Sequence, residues 1–191
     1  MTDTTTTTAG TLPLAAGVWI ADKAHSSVSF QIRHLGLSNV RGRFETFDAT
    51  LSIGTTLAEV SIGAVIDSST INTGQPDRDA HLRGTDFFNV DLHPKLIFAS
   101  TAVTETGDGY ELAGELTING ITQPVALAVE FFGAEEFPGD GKVHAGFLAT
   151  GEIRRADFGI NLNIPLGAGK LALGEKVKIE LDFQFVAPEA A

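Results

Sequence analysis

The chain contains no cysteine, which excludes disulfide bridges, thiolate nucleophiles and the usual zinc-finger ligand sets in one step. Tryptophan, tyrosine and methionine occur once each. The aromatic content is carried by 13 phenylalanines, a skew toward wholly apolar rings that suits a greasy cavity and an ordinary core equally well. Basic residues are scarce: 13 Lys and Arg stand against 24 Asp and Glu, giving a net charge of −11 and a pI near 4.7. Nucleic acid and anionic membrane surfaces recruit clustered Lys and Arg, so neither is an expected partner. No apolar run approaches the ~20 residues needed to cross a bilayer. The N-terminus, Met-Thr-Asp and a threonine run, lacks the positive and apolar regions of a secretory signal, although residues 12–20 are locally apolar, and a cytoplasmic protein is expected. Catalytic signatures are missing too. There is no Gly-x-Ser-x-Gly elbow, no dinucleotide fingerprint and no HExxH spacing, and Gly167-Ala168-Gly169-Lys170 fails as a phosphate loop because Ile164 and Leu171 stand at positions that require other residues.

What remains is written in strand periodicity. With 191 residues, 43% of them hydrophobic, and 21 glycines, the chain fits a single all-β domain with many turns. Residues 1–12 read as a flexible polar arm, and 13–191 as the domain. Val28, Phe30 and Ile32 alternate with Ser27, Ser29, Gln31 and Arg33, and His34 falls on the apolar side. Along 40–53 the apolar parity switches from Val40 and Phe44 to Phe47, Ala49, Leu51 and Ile53, which predicts a bulge or bend at Glu45-Thr46. Val60, Ile62, Ala64 and Ile66 form a further row. Pro76 and Gly84 bracket one or two helical turns, a short insertion within 76–90 placed to cover a barrel mouth. Asp108-Gly109 and Asn119-Gly120 mark tight turns flanking the faces of Tyr110, Leu112, Leu116 and Ile118 and of Val125, Leu127, Val129 and Phe131. The last strand, Val177 to Phe185, alternates almost without error. About eight principal strands in meander order can close on themselves and leave no exposed edge. A ring of that size encloses either a side-chain core or one small ligand.

Five ordered blocks resemble the YceI-like, polyisoprenoid-binding family. They are His25 to Phe44; Arg78-Asp79-Ala80-His81-Leu82-Arg83 with Asp86-Phe87-Phe88-Asn89-Val90; His93-Pro94-Lys95-Leu96-Ile97-Phe98; Gly114 to Val125; and Gly146-Phe147 through Phe158-Gly159. The likeness runs over roughly residues 17 to 187. It implies a lipocalin-like antiparallel barrel enclosing a long apolar ligand such as a polyisoprenoid, an isoprenoid quinone or a fatty amide, with a homodimer as a further expectation. Many relatives of the family are exported, and the absence of a visible leader here is a departure.

On that implication, the candidate lining is Phe30, Ile32, Phe44, Ile62, Ala64, Phe87, Phe88, Phe98, Leu112, Leu116, Phe147, Ala149 and Phe158, and the head-group candidates are His34, Arg78, His81 and Arg83. Each of those polar residues has a second reading. His34 reads first as a structural partner holding the turn and bulge together, and Arg78, His81 and Arg83 carry the same ambiguity, since Arg and Asp in one turn-rich segment commonly pair with each other. Small residues at Gly42, Ala64, Gly114, Ala145, Ala149 and Gly151 fall on apparently inward faces and are expected to leave room. Asp77, Asp79 and His81 are the best local metal cluster, but nothing in their spacing makes three ligands converge, so no metal or cofactor is expected. Three functions follow: a carrier or sequestering protein for an apolar ligand, a lipid-modifying enzyme using His34 or His81 in the same cavity, or a barrel with a filled core.

Overall fold

The computed structural model describes residues 11–167 and 169–188, without the side chain of Lys170. Its elements are β1 (Gly17–Ala21), β2 (Ser27–His34), β3 (Ser38–Phe44), β4 (Phe47–Ile53), β5 (Ser61–Asp67), β6 (Ile71–Asn72), α1 (Pro76–Arg83), β7 (Lys95–Thr106), β8 (Gly109–Ile118), β9 (Ile121–Phe137), β10 (Lys142–Arg154), β11 (Pro165–Gly167), β12 (Lys170–Leu171) and β13 (Leu173–Val186). Strand neighbours run β1-β4-β5-β7-β8-β9-β10-β13-β2-β3-β6, and a second pairing between β1 and β13 closes the ring. The small strands β1 and β2 lie in succession along β13, while β3 continues into β4 through Glu45 and Thr46. The result is the expected all-β fold, a closed eight-stranded antiparallel barrel with one short helix. The parity switch of 40–53 falls where the sequence places it: Phe44 and Phe47 are both buried on either side of the bend.

The pattern of inward and outward residues follows the register. Ile179 faces Phe30 and Gly151, whereas Glu180 faces Ser29 and Thr150, so the ladder separates an apolar interior from a polar exterior. Trp19 is almost fully buried where β1 closes the ring, and its Nε1 donates to Ala15 O at 2.9 Å. Phe183 stacks on Phe185 with centroids 5.5 Å apart and meets Phe47 edge-on at 5.4 Å, packing part of the core with rings alone.

Two tight turns behave differently from each other. Asn119 (φ +53) and Gly120 (φ +71) form the two-residue β8–β9 loop, both in the left-handed conformation that such a hairpin requires. The β7–β8 loop is Gly107-Asp108, one residue earlier than the sequence signal; Gly109, at φ +142, opens β8 opposite Thr106. Leu12 also departs from the expectation of a free arm through residue 12, being buried within the core. Residues 1–10 of that arm lie outside the described residues.

Because neighbouring strands alternate in direction, the same end of the barrel receives the β2–β3 turn, the segment 68–94 with α1, the Asn119-Gly120 turn, the turn of 155–158 and the β11–β12 hairpin. Asn119 Nδ2 ties three of these together, donating to Phe87 O at 2.6 Å and Phe158 O at 3.5 Å. Leu35 N donates to Ala172 O at 2.7 Å, fixing the β2–β3 turn against the chain that leads into β13.

Candidate functional site

The barrel encloses a cavity of about 440 Å³, within the 300–1,000 Å³ range of small-molecule sites. Its wall is assembled by period-2 geometry. β5 contributes Ile62, Ala64 and Ile66, β8 contributes Leu112 and Leu116, β10 contributes Phe147, Ala149 and Ile153, and β13 contributes Val177, Ile179, Leu181, Phe183 and Phe185. Phe30 and Ile32 from β2, Phe44 from β3, Phe98 from β7, and Phe87, Phe88 and Phe158 from the covering segments complete the set of thirteen candidate lining residues on one wall. Leu12 joins them, which the low-complexity sequence around it gave no reason to expect.

Not every small inward residue opens space. A Cβ on Gly42 would run into the Phe30 ring and Thr73, one on Gly114 would meet the Phe98 ring, and one on Gly151 would meet Leu127 Cδ2. These glycines are covered by larger neighbours lying across them, and Ala145 is fully buried and off the wall. Ala64 and Ala149 do face the cavity.

Most polar wall residues belong to the end that carries α1: His34, Thr73, Arg78, His81, Arg155 and Asn163. In α1, Pro76 occupies the first turn and Gly84 caps the end, with Asp77 and Asp79 early and His81 and Arg83 late, as the helix dipole favours. Asp79 is buried and accepts from Thr73 N at 2.9 Å and from Thr73 Oγ1. Arg78 Nε donates to the same Oγ1 at 2.7 Å, and its Nη2 donates to Thr73 O at 2.9 Å. His81 Nε2 lies 3.0 Å from Asp86 Oδ2, with its ring edge-on to Phe87. Asp77, Asp79 and His81 therefore do not converge, and no group of three metal-ligating side chains exists among the described residues.

The four head-group candidates separate. His34, Arg78 and His81 border the cavity. Arg83 does not: its Nε donates to Ser69 O at 2.8 Å and its Nη2 to Ile71 O at 3.4 Å, so it holds the β6 approach by its backbone. His34 is half-buried and has no side-chain hydrogen-bond partner among the described residues.

Arg155 is the polar wall residue that the sequence reading passed over. It is 7% exposed; Nε donates to Gly174 O at 2.9 Å, and Nη1 to Ile160 O at 2.8 Å and Leu162 O at 2.9 Å. Burial pushes its pKa below the ordinary guanidinium value, opposed by the charge of Glu175. A signal existed: Phe147, Ala149, Gly151 and Ile153 set the inward parity of β10, and Arg155 is the next residue of that series. Asn163, also missed, accepts from Leu173 N at 3.0 Å and donates to Leu173 O at 2.9 Å, pinning the start of β13.

The rim beside this end is apolar. Leu37, Ile164 and Leu166 are 81%, 64% and 47% exposed, and Ile164 also reaches the cavity wall. Among the described residues no helix is long and apolar enough to cross a membrane.

Comparison with known proteins agrees with this architecture. Residues 19–185 match the model of the YceI-like domain. A UPF0312 protein of Staphylococcus aureus (strain N315) is 40% identical over 169 residues, covering 88% of this chain and 96% of the relative. The Campylobacter jejuni YCEI protein superimposes with a TM-score of 0.69 at 28% identity, over 88% of this chain and 96% of that one. A polyisoprenoid binding domain from Saccharophagus degradans, implicated in plant cell wall breakdown, shares the fold with a TM-score of 0.63 at 14% identity, over 91% of this chain and 100% of that one.

Proposed function

The chain belongs to the YceI-like family, and we propose on that premise that its barrel takes up one long apolar ligand and carries or sequesters it without covalent chemistry. The observation that carries the reading is the cavity of about 440 Å³, walled almost wholly by aliphatic and phenylalanine side chains and built from strands that close on themselves. Such a wall recognises shape and apolar area, at about 25 cal/mol per Å² before ordering costs are subtracted. The polyisoprenoid binding domain of similar fold supports a ligand of the polyisoprenoid class, and an isoprenoid quinone or fatty amide offers the wall the same kind of long apolar chain. A binding role also suits the polar groups at the mouth. His81 is engaged by Asp86, and among the described residues His34 has no carboxylate or hydroxyl as a hydrogen-bond partner that would make it one half of a catalytic pair.

The test is native mass spectrometry of the purified protein, followed by solvent extraction and identification of whatever co-purifies. A discrete apolar adduct, or stoichiometric uptake of an isoprenoid or quinone by the stripped protein, is the expected result. A clean apo mass that resists loading with both classes overturns the reading.

A further inference from the structure

We propose that the apolar rim formed by the β2–β3 turn and the β11–β12 hairpin docks on a neutral lipid surface, so that the cavity opens directly into hydrocarbon. The inference rests on the reading of the cavity as a site for an apolar chain. Leu35, Leu37, Ile164, Leu166 and Leu171 are all exposed. Backbone bonds hold the two tips side by side: Leu35 N donates to Ala172 O at 2.7 Å and Ala172 N to Ile164 O at 2.9 Å, while Pro165 stands opposite Leu171 in the hairpin. Single exposed leucines are ordinary, but a group of them gathered at one opening marks an interaction surface. The turn also keeps a leucine where the backbone disfavours one. Leu35 (φ +55) and Gly36 (φ +73) are both left-handed, the conformation that Asn119 and Gly120 meet with the residue types that tolerate it.

Two further features select lipid as the occupant. Leu162 and Ile164 are exposed on the rim and also line the cavity, and Asn163 between them is bound to the Leu173 backbone, so the apolar wall runs out onto the rim. An apolar chain that moves along this wall into hydrocarbon does not have to cross water. The charge pattern agrees. Asp and Glu make up 24 of 191 residues, yet none occurs in 23–44 or in 158–174, the segments that carry the rim. Carboxylates, costly to press against an apolar phase, are thus kept away from the contact. The attraction is apolar, since a net charge of −11 disfavours an anionic bilayer. A second copy fits less well: five side chains on two loop tips fall short of the about 20–30 residues a side of a stable dimer, and a mouth-to-mouth pair would close both openings.

The experiment is flotation of the full-length protein with phosphatidylcholine vesicles, with uptake of geranylgeraniol and ubiquinone from detergent measured in parallel. The wild type is expected to float with the vesicles. Leu37→Glu and Leu166→Glu, at exposed positions that do not line the cavity, should each weaken vesicle binding about tenfold or more while keeping the wild-type Tm and the uptake from detergent. Phe132→Glu, exposed on the outer wall, should leave flotation unchanged. A wild type that does not float, flotation that survives both rim variants, or a loss as large with Phe132→Glu overturns the proposal and leaves the cavity reading standing, because uptake from detergent is read separately. A wild type that stays with the unbound fraction as a dimer, made monomeric by Leu37→Glu, overturns it in favour of a second copy. Failure to take up either probe removes the cavity reading, and with it the passage into hydrocarbon, even where the vesicles are bound.

Discussion

Gly114 lies beneath the Phe98 ring, and the space a side chain would take there is already filled. A Cβ at this position would sit 2.5 Å from Phe98 Cε2 and 2.7 Å from Ala99 O. Gly114→Ala should therefore push Phe98 off its place on the cavity wall and lower stability by about 1–3 kcal/mol, as overpacking does. Gly63 is the control, because the nearest atom to its added Cβ is Thr50 Oγ1 at 3.8 Å and its backbone needs no left-handed conformation. Gly63→Ala should be neutral or stabilising by about 0.4–1 kcal/mol, read by urea denaturation alongside the first variant. Equal losses at the two positions would show that the Phe98 contact is not the cause. The expectation that small inward residues leave room fails at Gly114, Gly42 and Gly151 for the same reason: alternation gives the side a residue faces, but not which neighbour lies across it. Asp67 offers a separate residue-scale test. Its carboxylate accepts from Ser69 Oγ at 2.6 Å, from Lys95 Nζ at 3.0 Å and from Ser69 N at 3.0 Å, which hold its pKa below the usual carboxylate range. A depressed native pKa stabilises the fold above the unfolded value of about 4 and stops doing so as pH falls through the native value. The stability gap between wild type and Asp67→Asn should thus be present at neutral pH and close under acid; a gap that is the same at both pH values rejects the role.

Among the elements, the β8–β9 turn has the widest reach. Asn119 and Gly120 give the hairpin its two left-handed residues, and the Asn119 amide also holds the carbonyls of Phe87 and Phe158, two residues of the cavity wall from distant parts of the chain. Asn119→Gly keeps the turn conformation and removes the clamp. It should cost about 1–2 kcal/mol by denaturation and speed hydrogen exchange at 84–90 and 155–160, with little change in the β8–β9 ladder. Protection lost first in the ladder would mean that the side chain serves the turn alone. The sequence announces this turn, because the Asn-Gly pair sits between two alternating faces, and it announces β13 for the same reason. It does not announce the irregularities of β7, between Ser100 and Ala102, or of β9, opposite Gly146 and Phe147. In the first, small residues make the apolar parity ambiguous. In the second, alternation places Phe131 with Val125, Leu127 and Val129 and leaves Phe132 outward, where it is 59% exposed, but only the register shows that Phe132 is the residue skipped between Phe131 and Gly133.

At the scale of the molecule, closure makes the ligand and the core compete for one volume. The alternation of β2, β5, β8, β10 and β13 makes the apolar lining legible before any coordinates, since each strand needs only its parity. The polar mouth is less legible, because His34, Arg78, His81 and Arg155 come from separate segments and only the ring brings them to one end. Arg83, alike in sequence, is turned to backbone instead. Ala149 is the position at which the two claims on the volume can be separated. It lies on β10 between Leu181 and Val129 in register and faces the cavity, so Ala149→Phe directs a ring into existing space. A ligand that binds only the folded barrel stabilises it by about 2.7 kcal/mol at a hundred times its Kd. For a chain of this size that is a rise in Tm of roughly 5–11 °C. The wild-type protein loaded with an isoprenoid should show that rise, and Ala149→Phe should fold with an apo Tm close to wild type and show none. If the variant rises as far as the wild type, the ligand is stabilising some other surface, and the cavity is only a packing defect of the barrel.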